Sequence, residues 1–134
     1  MKHALTFVLA TTCFSAWAGK WVEVQNASAA AKVSVDVSSL QTVPNKRTVW
    51  TRFDFKTPQQ NPNDPKKIMQ SMLSKQQFDC AKETVQALQI IMYSPSGEVV
   101  GQHTQPDPVQ HVEPNTTMDE LFEFVCSPRV KSSG

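Results

Sequence analysis

Three cysteines, Cys13, Cys80 and Cys126, constrain this chain more than any other feature of its sequence. Cys13 lies in an N-terminal segment with the pattern of a cleavable secretion signal, so two cysteines remain after cleavage. Exported proteins mature in an oxidising compartment, where paired cysteines form disulfides. We therefore expect a disulfide between Cys80 and Cys126, which would join the middle of the chain to its end.

Residues 1–18 follow the order of a signal peptide. Lys2 gives a basic start, residues 4–10 form a short apolar run, and Ala16-Trp17-Ala18 supplies small residues at the expected cleavage site. The apolar run is shorter than the about 20 residues that a membrane-spanning helix requires, and no later segment qualifies.

Lipoprotein processing at Cys13 is the alternative fate of this segment. A small residue such as Gly or Ala is expected before a lipidated cysteine, whereas Thr12 is larger and β-branched. Cleavage after Ala18 is therefore favoured, and it leaves one domain of residues 19–134.

The charge balance of the mature chain excludes several classes of partner. Only Lys2 of the 13 basic residues precedes residue 19, so 12 basic and 12 acidic residues remain. Nucleic acids and anionic membrane surfaces require clustered basic residues, which a neutral chain does not indicate. The groups Lys46-Arg47 with Arg52, and Lys66-Lys67, are typical of solvated loop and edge positions.

Most of the mature chain has the period-two alternation of half-buried β-strands. In residues 48–55 the face that carries Trp50 also carries charged residues, so we expect that face to meet water and Trp50 to be partly exposed. Phe78 and Cys80 share the buried face of a later strand. The predicted strands are residues 21–24, 33–37, 48–55, 72–80, 83–93 and 98–101.

Two proline-rich segments are predicted to be surface loops. Residues 57–65 contain three prolines and residues 104–114 contain another three, and proline cannot donate to a sheet ladder. Loops this long are either mobile or used in binding. Residues 94–97, with the sequence Ser-Pro-Ser-Gly, predict a hairpin turn.

The last predicted element is a helix that begins near residue 117. Residues 115–117 offer a cap, Thr117 and Glu120 have capping-box spacing, and Pro128 limits the far end. Four apolar residues follow the spacing of one buried stripe, namely Met118, Leu121, Phe122 and Val125. The predicted fold class is α+β: about six mostly antiparallel strands in one sheet, with this helix packed on one face and clamped by the disulfide.

The residue types of the mature chain do not predict an enzyme. A thiol nucleophile requires a free cysteine beside a histidine, and the disulfide explains both cysteines. Four residues of one loop could supply metal ligands, but their spacing matches no structural zinc pattern, and solvated side chains are the favoured interpretation. They are His103, Asp107, His111 and Glu113. We therefore predict no catalytic residues, no metal and no cofactor.

A series of short segments in a fixed order resembles the bacterial surface-adhesin protein E family. The segments are Trp21, Val35-Asp36-Val37-Ser38-Ser39-Leu40, Arg47-Thr48-Val49-Trp50, Phe78-Asp79-Cys80, Tyr93-Ser94-Pro95-Ser96-Gly97-Glu98-Val99-Val100 and Val125-Cys126. The resemblance covers residues 21–126. It implies a small antiparallel sheet with a helix on its concave face, held by a disulfide. It also implies an outer-surface adhesin that binds host matrix and plasma proteins such as vitronectin and laminin, and that can dimerise.

The expected function is therefore that of an exported binding module, in the periplasm or at the cell surface, whose loops 56–67 and 104–114 contact a protein partner. The alternative is a periplasmic structural or accessory protein of the envelope. No host-binding segment of the family matches a segment here, so the binding residues stay unknown and only Cys80 and Cys126 carry over.

Overall fold

The computed structural model describes residues 19–62 and 64–127, and the predicted signal peptide lies outside them. One antiparallel sheet and one C-terminal helix form the described part, which confirms the predicted fold class. Strands β1 to β6 lie in chain order, and the two-residue β7 pairs with β5 beyond the end of β6. The elements are β1 Trp21–Glu23, β2 Ala31–Val43, β3 Lys46–Asn61, β4 Asp64–Asp79, β5 Thr84–Tyr93, β6 Val99–His103, β7 Gln110–His111 and α1 Thr117–Cys126.

The helix covers one face of the sheet, which we call the helix face. Leu121 and Val125 of α1 are fully buried, and Phe78 of β4 is fully buried with them. The rings of Phe78 and Phe122 lie 6.3 Å apart between centroids, within the range of favourable aromatic pairs. The predicted apolar stripe of the helix is thus confirmed as the contact with the sheet. Valines of the central strands complete this core, namely Val33, Val35 and Val49.

The opposite face, which we call the open face, carries the side chains that alternate with the helix-face residues along each strand, including the polar ones. Trp50 is half-buried there and Arg52 is exposed, as the sequence predicted. Arg52 Nε lies 3.0 Å from the Asp54 carboxylate. Alternation therefore identified correctly which side of β3 meets the helix.

The N-cap of α1 is Thr116, which lies within the cap predicted at residues 115–117 but one residue before the Thr117 that the capping-box spacing indicated. The Thr116 hydroxyl accepts from the Asp119 amide at 3.2 Å, and the Asp119 carboxylate accepts from the Asn115 amide at 3.0 Å. Asn115 has a positive φ of 61°, a conformation that Asn tolerates better than most residues. The predicted capping chemistry is present, but shifted by one residue and with Asp119 in place of Glu120.

The predicted loop at residues 57–65 is wrong, because β3 extends to Asn61 and β4 begins at Asp64, so the two strands form one long hairpin. Residues 55–58 have no direct partner in β4, and a second irregularity follows Gln60. Pro58 and Pro65 fall at these two breaks, where a missing backbone donor leaves no ladder bond unmade. The sequence indicates where the prolines are, but it does not predict the strand register that places them at breaks in the pairing.

The second predicted loop is partly ordered against the edge of β5. The Asp107 amide donates to the Ala87 carbonyl at 2.8 Å and the Val112 amide to the Glu83 carbonyl at 3.0 Å, on either side of β7. The hairpin turn between β5 and β6 is confirmed, with Gly97 at a φ of 86°, which favours glycine.

Candidate binding surface

The end of the helix is attached to the sheet by the predicted disulfide. Cys80 and Cys126 are bonded, with their Cα atoms 5.7 Å apart. Cys80 is the first residue of the turn after β4 rather than a strand residue as predicted. Its amide donates to the Asn45 carbonyl in the β2–β3 turn at 2.8 Å. The disulfide thus connects α1 to two hairpin ends at once.

Arg47 makes a second attachment at the same end of the helix. One guanidinium nitrogen, Nη1, donates to the Val125 carbonyl at 2.6 Å and to the Ser127 carbonyl at 3.1 Å. The last turn of α1 contains no basic residue, so Arg47 supplies the positive charge that a helix C-terminus favours. The prediction that Arg47 is a solvated loop charge is therefore wrong.

The sequence did contain a signal for this contact. Arg47 has the same parity as Val49 in β3, so alternation places it on the apolar helix face rather than on the open face. A charged residue on an apolar face requires a polar partner, and the end of the only predicted helix was the obvious candidate.

The far end of the β3–β4 hairpin forms a second feature, which we call the arm. It consists of residues 55–61 and 64–70. Most of its side chains are exposed, but Asn61 is only 2% exposed and Met69 only 7%. The Asn61 amide nitrogen donates to the Val100 carbonyl of β6 at 2.9 Å, and the Gln70 amide nitrogen donates to the Phe55 carbonyl. The arm is therefore fixed to the edge of the sheet at its tip.

Gly101 of β6 makes room for this contact. A Cβ atom added there would lie 2.9 Å from the Asn61 amide nitrogen and 3.5 Å from the Met92 sulfur. The first distance is shorter than non-bonded atoms tolerate, so a side chain at 101 would displace Asn61. A glycine on β6 and an asparagine at the hairpin tip thus form one complementary contact.

The open face presents apolar side chains beside its charges. Leu73 and Ile91 are direct neighbours on β4 and β5, and both are half-buried, as is Trp50. Trp21 on β1 is 36% exposed. Aromatic side chains of this kind supply much of the contact area in protein interfaces.

The four residues considered as metal ligands are not gathered into a site. His103 Nε2 lies 3.0 Å from the Asp107 carboxylate, and both side chains are exposed. His111 lies apart from them on β7. Within residues 19–62 and 64–127, no three potential ligands are grouped closely enough to hold a metal ion. Nor does that part contain a helix long and apolar enough to cross a membrane.

The comparisons with known proteins agree with this arrangement. A family model described as surface-adhesin protein E matches residues 21–127. Crystal form II of Haemophilus influenzae protein E is similar in structure, with a TM-score of 0.58, 15% identity, and coverage of 71% of this chain and 80% of that chain. Protein E from non-typeable Haemophilus influenzae has a TM-score of 0.55 at 13% identity, and covers 85% of this chain and 79% of that chain. No curated protein sequence matches the chain.

Proposed function

Because the chain belongs to the surface-adhesin protein E family over residues 21–127, we propose that it is an exported bacterial binding module for host matrix or plasma proteins. The family match carries the proposal, since it covers the whole sheet and helix. At 13–15% identity the solved structures support the fold alone.

Two features of the molecule support a binding role. The disulfide and the Arg47 contact hold the helix on the sheet and make the sheet a rigid support. The arm and the open face display exposed side chains on this support. Rigid surfaces lose little conformational entropy when they bind. The disulfide, together with the signal pattern of residues 1–18, supports export with cleavage after Ala18.

The proposal is tested by binding of the mature protein, residues 19–134, to immobilised vitronectin and laminin. We expect saturable binding to at least one of them and none to immobilised albumin. The matched control is the same protein heated with a reductant, which loses the clamp and the surface it supports. Equal retention on all three surfaces, or on none, would contradict the proposal.

A periplasmic accessory protein is the second candidate, and the open face favours it. Trp50, Leu73 and Ile91 are apolar groups that a permanent envelope partner or a second copy of the chain would cover. Light scattering after size exclusion measures the second possibility. A monomer at the highest soluble concentration would exclude a stable homodimer.

A further inference from the structure

Gly19 and Lys20, the two residues before β1, are already held against the sheet. The Lys20 carbonyl accepts from the Val37 amide at 3.0 Å, so the contact with β2 continues one residue beyond the start of β1. The Gly19 carbonyl accepts from the Trp21 amide at 3.1 Å, and Gly19 itself is half-buried. The first residue after the predicted cleavage site therefore has a fixed place in the fold.

Gly19 lies directly against the carboxylate of Asp36 in β2. A Cβ atom added to Gly19 would lie 2.7 Å from the Asp36 Cγ and 3.0 Å from its Oδ1, and Oδ2 would be closer still. A side chain at position 19 would therefore displace the carboxylate or the chain. The nitrogen and the Cβ atom of a residue are about 2.5 Å apart, so the Gly19 nitrogen lies within about 5 Å of the Asp36 Cγ.

The Asp36 oxygen nearer to Gly19 is the one without a partner. Oδ1 accepts from the Ser38 amide at 3.0 Å and from the Ser38 hydroxyl at 2.5 Å. Within residues 19–62 and 64–127, Oδ2 accepts no hydrogen bond and joins no ion pair. Asp36 is half-buried and lies between Trp21 of β1 and Trp50 of β3 in the sheet. A carboxylate withdrawn from water in this way is stabilised by a cation.

We propose that Asp36 is the docking site of the mature N-terminus, and that the α-ammonium group of Gly19 pairs with Asp36 Oδ2 once the signal is removed. Hydrolysis of the Ala18–Gly19 peptide bond consumes one water molecule and leaves a carboxylate on Ala18 and an ammonium on Gly19. The same nitrogen thus changes from a neutral amide with one donor to a cation with three. Glycine is the residue that lets this cation approach so closely. The assignment rests on the predicted cleavage site and not on what the module binds.

The other charged side chains on this side of the sheet do not replace Asp36 as the partner of the ammonium. Glu23 lies two residues farther along β1, and the Asp54 carboxylate is paired with Arg52. The rest are lysines, which repel an ammonium group: Lys20, Lys32 and Lys75. An opposite charge within about 4–6 Å favours the charged form of a group. Asp36 should therefore raise the pKa of the Gly19 ammonium, and its replacement by Asn should lower that pKa because the lysines remain.

The test uses the mature protein, recovered after expression of the full chain in an exporting bacterium, and trace labelling with acetic anhydride at neutral pH. Mass spectrometry of the peptide released by cleavage after Glu23 gives the labelled fraction of the Gly19 amine, and the exposed Lys66 amine serves as the internal standard. Only the neutral amine reacts, so a raised pKa slows labelling. We expect the Gly19 amine to react about fivefold or more slowly in the unmodified protein than in D36N.

Two further variants separate pairing from a general charge effect. D54N removes a carboxylate from the same sheet face and should change the labelling rate of Gly19 less than twofold. G19A keeps Asp36 but adds the methyl group that the carboxylate excludes, so its terminal amine should react about as fast as that of D36N. Circular dichroism checks that each variant is folded. In urea, where the sheet is lost, the unmodified protein and D36N should react at the same rate.

Equal labelling of Gly19 in the folded unmodified protein and in folded D36N would overturn the proposal. So would a mature chain that begins at any residue other than Gly19, including a lipidated Cys13. If the chain begins at Gly19 but its labelling does not respond to Asp36, the pairing fails while the predicted cleavage stands. Binding to vitronectin or laminin is measured separately, so failure of the proposed function leaves these results unchanged.

Discussion

At the scale of single residues, the end of the helix depends on Arg47. Its Nη1 donates to two carbonyls, those of Val125 and Ser127, which have no partner in the next turn because the helix ends there. Arginine suits this role because its planar guanidinium holds several donors in a fixed geometry. The contact spans 78 residues of sequence to Val125, so it links β3 directly to the last element of the chain.

Replacing Arg47 by Met should therefore destabilise the protein by about 2–3 kcal/mol, because two partly buried carbonyls lose charge-assisted bonds. Urea unfolding at neutral pH measures this free energy. The free energy of unfolding of Arg47→Lys should lie between those of the unmodified protein and Arg47→Met, since a single ammonium group does not reproduce the planar set of donors of the guanidinium. The matched control is Arg52→Met, which breaks an exposed ion pair worth about 0–1 kcal/mol. Equal effects of R47M and R52M would contradict the assigned role.

The sequence was informative about some residues and not about others. The pairing of Cys80 with Cys126 followed from the cysteine count, because it needed no knowledge of geometry. The roles of Arg47 and Asn61 depend on which strand residues face each other and where a hairpin tip ends. Alternation and the predicted helix end together indicated the role of Arg47, although Arg47 was predicted to be solvated. The position of Asn61 at a hairpin tip cannot be read from local residue types.

At the scale of elements, the arm shows how register overrides a local signal. Proline content predicted an irregular loop at residues 57–65, whereas β3 and β4 remain strands and place Pro58 and Pro65 at breaks in their pairing. The helix was predicted to within one residue, because the apolar spacing and the capping residues indicate the same element. The helix, for which two local signals agree, was predicted well. The arm, where proline content is a single contrary signal, was not.

Gly101→Ala should destabilise the docking of the arm by about 1–2 kcal/mol, because the new methyl group displaces the Asn61 amide and breaks its bond to Val100. Asn61→Ala should have a similar effect, for loss of the same bond. The two changes should not add: in the Asn61→Ala background, Gly101→Ala should cost clearly less than it does alone. Unfolding free energies of the four proteins measure the coupling, and full additivity would show that the two residues act separately.

At the scale of the whole molecule, the disulfide and Arg47 hold the only described helix on the only described sheet. The bond closes a loop of 46 residues, for which the chain-entropy model gives about 4 kcal/mol. That is a large share of the roughly 5–15 kcal/mol by which domains are stable. The double variant C80S/C126S should accordingly lose about 4 kcal/mol of free energy of unfolding. Replacing both cysteines leaves neither of them as a free thiol that could form dimers.

Treatment of the unmodified protein with a reductant provides the control for this change. Reduction should lower the urea midpoint to near that of C80S/C126S and should leave the midpoint of C80S/C126S unchanged. If reduction does not move the midpoint of the unmodified protein, the clamp contributes little and the sheet holds the helix by packing alone.

The fold class of the whole molecule was predictable because strand alternation, one amphipathic helix and one cysteine pair together favour a sheet covered on one side by the helix. The location of the protein was less predictable than its fold, because a signal pattern predicts export but does not separate the periplasm from the cell surface. A binding module for host proteins, the role proposed above, must be displayed at the cell surface.

The most direct test is to treat intact bacteria that express the native chain with a membrane-impermeant amine reagent, and then to look for labelled Lys66 and Lys67 by mass spectrometry. Both side chains are exposed, so a surface-displayed domain should be labelled in intact cells to the same extent as in lysed cells. A periplasmic protein of the same cells should stay unlabelled until lysis. Labelling of Lys66 and Lys67 only after lysis would contradict surface display and favour the periplasmic accessory role.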